Sequence, residues 1–86
     1  MTRVELVRRM YGITQTQLAK QIGVARPQLS ELERGTRRPS PKLRRSIAGA
    51  LGFREEVLFN DGGWPIVVNN NDWRWLSEHD QAHQVG

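Results

Sequence analysis

Apolar residues recur at helical spacing through the first sixty positions, broken at short intervals by capping residues, glycine and proline. Between Arg3 and Tyr11, the positions Val4, Val7 and Tyr11, widened by Leu6 and Met10, form one stripe of a 3.6-residue helix. Thr2 stands at the N-cap position, and Gly12 can take the left-handed conformation that ends such a helix. Thr14, with Gln17 three residues on, fits a capping box ahead of a second helix. That helix buries Leu18, Ala19 and Ile22, and Gly23 stops it. Val24 is apolar in the turn that follows and is placed to plug between helices. A third helix begins at Ala25 or Arg26, tolerates Pro27 in its first turn, turns Leu29 and Leu32 inward, and ends at Gly35. Ser40-Pro41 marks the start of a fourth helix, in which Leu43, Ile47, Ala50 and Leu51 keep the period up to Gly52. Phe53–Phe59 is short enough for one further helix, with Val57 and Leu58 as its core residues. The pattern predicts an all-α fold, a compact five-helix domain over residues 1–60.

The pattern changes after residue 60. Asn60-Asp61-Gly62-Gly63 signals a loop, Trp64–Val68 suits extended chain, and Asn69–Asp72 is placed to cap an extra helix over about 72–81. Residues 61–86 are therefore expected to form a C-terminal extension, an acidic tail that holds all three tryptophans, Trp64, Trp73 and Trp75.

Charge follows the same division. The net charge is +4, but residues 1–60 carry 12 Lys/Arg against 5 Asp/Glu and residues 61–86 carry 1 against 4. A basic body suits a polyanionic partner, although charge alone would equally serve solubility. With 0 cysteines, neither disulfides nor thiolate chemistry is available, which points to the cytoplasm. No apolar run approaches the roughly 18 residues of a membrane span, and the charged N-terminal segment does not suit a signal peptide. The expected protein is soluble and intracellular.

The segment Gln15–Gly35, QTQLAKQIGVARPQLSELERG, pairs two short helices across a tight turn. A helix held at a fixed angle by another is a means of placing side chains in the DNA major groove. The face of the third helix that remains outside carries Arg26, Pro27, Gln28, Ser30 and Glu31. Arg26 can bind guanine bidentately and Gln28 adenine, each with about 1–3 kcal/mol of discrimination. Glu31 can accept from cytosine N4 or simply pair with an arginine, and Ser30 is a lesser candidate. Arg34, Thr36, Arg37 and Arg38 line a basic loop suited to phosphates, with Lys42, Arg44 and Arg45 as an extension on differing helix faces.

These residues resemble the helix-turn-helix of the phage-repressor/Cro (XRE-like) family. The likeness rests on Thr14, Gln15, Leu18, Ala19, Gly23, Val24, Leu29, Glu33, Gly35, Pro39 and Ser40, and with the flanking helices it covers about residues 3–60. The resemblance implies that Thr14 and Gln15 meet the DNA backbone, that Arg8 pairs with Glu33 to fix helix orientation, and that bases are read from the start of the third helix. Pro27 departs from the family, where many relatives carry a polar residue. It can pack on a thymine methyl but cannot hydrogen-bond a base, so no operator carries over.

No reading favours catalysis: the serines lack a partnering base, and no glycine-rich phosphate loop appears. His79 and His83 lie four apart without a zinc-ligand signature, so neither a metal nor a cofactor is expected. The expectation is a double-stranded DNA-binding transcriptional repressor acting as a homodimer, with Trp64, Trp73 and Trp75 as dimer or protein-partner contacts. Two alternatives stay open: an antitoxin or controller protein that regulates its own operon, and a helical protein–protein adaptor that does not read DNA.

Overall fold

The computed structural model describes residues 1–69, 71, 72 and 74. Within them the chain forms α1 (Arg3–Met10), α2 (Gln15–Ile22), α3 (Arg26–Glu33), α4 (Pro41–Leu51) and α5 (Glu55–Leu58), with two isolated antiparallel bridges. The all-α reading of the sequence is the architecture found.

Short polar residues start three of the helices by satisfying backbone N–H groups that have no intrahelical acceptor. Thr2 Oγ1 accepts from Glu5 N–H and Ser40 Oγ from Leu43 N–H, at 3.4 and 3.2 Å. At α2 the cap is reciprocal: Thr14 Oγ1 accepts from Gln17 N–H at 3.0 Å, while Gln17 Oε1 accepts from Thr14 N–H at 2.8 Å. Gly23 closes α2 at φ +78°, a left-handed conformation that a side chain would strain.

The helices surround one core. Val4 and Val7 of α1, Leu18 of α2, Leu29 and Leu32 of α3, and Ile47 and Leu51 of α4 are essentially inaccessible to solvent. Each such side chain contributes about 1.5–3 kcal/mol by leaving water. Ala19, Ala48, Phe53, Leu58 and Phe59 complete the core, whereas Val57 is only half-buried against it.

α5 is shorter than the predicted Phe53–Phe59. Phe53 N–H bonds back to the Ala48 carbonyl at 3.1 Å and its ring turns into the core, so Arg54 becomes the N-cap. Phe59 leaves the helix in an extended conformation and bridges to Pro65.

From there the chain runs back along the helical body. Ile66 N–H bonds to the Leu58 carbonyl at 3.0 Å, Arg3 N–H to the Ile66 carbonyl at 2.9 Å, and Val68 N–H to the Met1 carbonyl at 2.9 Å. Val67 bridges Thr2, so residues 65–68 are extended and pinned between α5 and the N-terminus. These bonds cross the boundary expected at residue 60. The helix expected over 72–81 lies, apart from Asp72 and Arg74, outside the described residues, as do Trp73, Trp75, His79 and His83.

Candidate nucleic-acid interface

The turn between α2 and α3 is set by Gly23 and closed by a bond from Val24 N–H to the Ala19 carbonyl at 3.0 Å. Val24 itself packs partly buried against the core. α3 then buries Leu29, Leu32 and Glu33, and this choice of inward face decides what faces out. Arg26 and Pro27 are exposed at its N-terminus, while Gln28, Ser30 and Glu31 are half-buried. Gln28 also borders a shallow groove of about 280 Å³ shared with Gly23, Ser40, Lys42 and Ser46.

A buried ion pair locks α3 against α1. Glu33 is 1% exposed, and its carboxylate accepts Arg8 Nε at 2.7 Å and Nη2 at 3.0 Å. Arg8 Nη1 donates to the Ile13 carbonyl at 2.7 Å, so the guanidinium is satisfied on several sides. The bond to Glu33 raises the Arg8 pKa further above its ordinary range, against the opposing effect of burial.

The network continues outward. Gln15, at the start of α2, donates Nε2 to Glu33 Oε1 at 3.0 Å, and its Oε1 accepts from Arg26 Nη1 at 3.2 Å. An unbroken path thus joins α1 to the exposed start of α3. Gln15 still has one amide hydrogen for a phosphate oxygen.

The loop arginines turn in different directions. Arg34 Nη1 donates to Ser30 Oγ at 2.8 Å, and Arg37 Nη2 reaches both Glu31 carboxylate oxygens at 3.2 and 3.3 Å. Thr36 Oγ1 donates to the Glu31 carbonyl at 3.0 Å. Ser30 and Glu31 are therefore engaged within the protein, and a base would have to compete for them. Arg38 turns the other way, donating Nε to the Gly62 carbonyl at 2.7 Å. Lys42 and Arg45 are exposed, and Trp64 is 43% exposed on the tail turn.

Sequence reasoning alone missed Arg3, Asn60 and Asp72, which attach the tail. Asn60 begins a visible loop signal, but nothing local says where that loop lands.

A polar-faced helix set on a second helix by a glycine turn, followed by an arginine loop, defines a helix-turn-helix domain. The chain belongs to the helix-turn-helix family, whose model matches residues 4–58. It is 43% identical over 58 residues to an uncharacterized HTH-type transcriptional regulator of Archaeoglobus fulgidus, covering 67% of this chain and 83% of that protein. An uncharacterized HTH-type transcriptional regulator of Mycobacterium tuberculosis is 43% identical over 51 residues, which span 59% of this chain and 36% of the relative. Another, of Methanocaldococcus jannaschii, is 35% identical over 57 residues, 66% of this chain and 86% of its own length. No solved structure matches the chain.

Proposed function

We propose that the protein is a sequence-specific, double-stranded DNA-binding transcription regulator that acts in the cytoplasm as a homodimeric repressor. The observation that carries this reading is the exposed start of α3, where Arg26 and Pro27 project beside Gln28 and Arg26 is linked to α1 through Gln15 and Glu33. Family membership and relatives named as transcriptional regulators support it.

In this reading α3 enters the major groove, Arg26 and Gln28 read base edges, and Pro27 packs on a thymine methyl. Thr14, Gln15, Arg34, Thr36, Arg37 and Arg38 follow the phosphates. Two copies place their α3 helices in successive major grooves about 34 Å apart on a pseudo-palindrome and occlude a promoter. The exposed Trp64 supports a protein contact at the tail, in the first instance between the two copies.

Selection of bound duplexes from a random pool, followed by anisotropy titration across salt concentrations, tests the proposal. The expected result is an enriched palindrome and, for about six phosphates, a log–log salt slope near −5. Weak binding without an enriched motif would refute it.

A further inference from the structure

Two arginines converge on the tail turn with no carboxylate between them. Arg38, in the loop before α4, donates Nε to the Gly62 carbonyl at 2.7 Å. Arg44, one turn into α4, donates Nη1 to the Pro39 carbonyl at 2.8 Å. A Cβ built on Gly63 would stand 2.5 Å from Arg44 Nη1 and 3.2 Å from Arg38 Nε. Both guanidiniums therefore occupy the space that a side chain at this position would need. Among the described residues neither reaches a carboxylate at ion-pair distance. Asp61, in the same turn, is exposed and pairs with neither.

The turn is built to hold this geometry. Asn60 Oδ1 accepts from the N–H groups of Gly62 and Trp64 at 2.9 and 3.0 Å, and the Asn60 carbonyl accepts from Gly63 N–H at 2.9 Å. Gly63 sits at φ +83°, where a side chain would be strained as well as crowded.

Two like charges held this close repel, and carbonyl dipoles offset that only in part. A phosphodiester adds a negative charge that attracts both, because guanidinium forks match its geometry and a single anion can bridge the pair. Arg38 is exposed, and its Nη1 and Nη2 have no partner among the described residues. We infer that the Asn60–Trp64 turn positions Arg38 and Arg44 to grip one phosphodiester together, which makes the tail a positioning element of the DNA interface. The inference rests on the DNA-binding reading above. Arg38 and Arg44 touch the phosphate, whereas Asn60 and Gly63 act through them.

The test is anisotropy of the full chain on its selected duplex across salt concentrations, for wild type, Arg38→Gln, Arg44→Gln, the double variant, Gly63→Ala and Asn60→Ala, with thermal melting of each. A shared phosphate predicts that the double variant loses about 0.9 from the salt slope and keeps its base preference. Gly63→Ala or Asn60→Ala, whichever melts as a folded protein, loses slope in the same direction. A double variant that loses about 1.8, the value for two separate phosphates, overturns the inference, as does one with an unchanged slope. Folded turn variants with the full wild-type slope also overturn it. If the wild type shows no selective, salt-dependent binding at all, the DNA-binding reading itself fails, which is a separate result.

Discussion

Arg3 donates Nε and Nη2 to the two carboxylate oxygens of Asp72, at 3.2 and 3.1 Å, and so fastens the first residue of α1 to the far end of the described tail. Its Nη1 donates to the Val57 carbonyl of α5 at 2.8 Å. One guanidinium thus ties together the N-terminus, α5 and the tail. The same bonds that pin residues 65–68 make the tail part of the surroundings of α1, the helix on which Glu33 and α3 are anchored.

This relationship gives a pH dependence of known sign. The hydrogen bond from Arg3 holds the Asp72 carboxyl below its ordinary range, helped by Asn69 N–H and opposed by burial. A folded pKa below the unfolded value, about 3.9, means that the contribution is complete above that pH and disappears as pH falls through the folded value. Asp72→Asn should cost about 1.5–3 kcal/mol at neutral pH, the worth of hydrogen bonds to a charged group. Urea denaturation of both proteins should show that gap closing below about pH 4. A gap of constant size from neutral to acid pH would show that the carboxylate charge is not what matters.

The Arg8–Glu33 pair is more deeply buried, with side-chain exposures of 8% and 1%. Removing one partner strands the other, so Glu33→Leu alone should destabilise by about 3–5 kcal/mol. Replacing both, as Arg8→Met with Glu33→Leu, should cost clearly less than the sum of the single changes, because no bare charge remains. Denaturant midpoints for the two singles and the double measure the coupling. Strict additivity would mean that the two residues do not act as a pair.

The helices were legible because their ends are written locally. Thr14 with Gln17, Ser40 with Pro41, and Gly23 each act within a few residues, and the apolar period supplied Leu18, Leu29 and Ile47 to the core. α5 was blurred because Phe53 and Phe59 are apolar enough to extend the helical pattern, yet long-range packing claims both rings. The tail was legible only as a loop followed by extended chain. Its attachment depends on backbone bonds and on Arg3 meeting Asp72, neither of which leaves a period or spacing in the sequence. At the candidate interface, periodicity could nominate the outward residues of α3. It could not tell that Arg37 turns to Glu31 while Arg38 turns to Gly62, since rotamer choice there depends on a turn far along the chain.

Arg37 and Glu31 form a partly exposed pair, with side-chain exposures of 46% and 36%. Such pairs contribute about 0–1 kcal/mol, so Arg37→Ala should leave the melting temperature almost unchanged. If Arg37 exchanges Glu31 for a phosphate in the complex, the same substitution should lower the salt slope by about 0.9. Melting curves and anisotropy titrations on one preparation separate the two effects. An unchanged slope would leave Arg37 as a surface charge only.

The chain from Glu33 through Gln15 to Arg26 predicts a coupling in base selectivity. Arg26 is exposed, and without Gln15 Oε1 as an acceptor its long side chain would sample many rotamers. Arg26→Ala should remove about 1–3 kcal/mol of discrimination at one base pair. Gln15→Ala should weaken discrimination at that same base pair although the proposed complex gives Gln15 only a backbone contact, and the double variant should lose little more than Arg26→Ala alone. Anisotropy titrations on duplexes differing at single base pairs, arranged as a double-mutant cycle, read this directly. If Gln15→Ala instead weakens every duplex equally, it serves only as a phosphate contact, and Arg26 finds its base without being held.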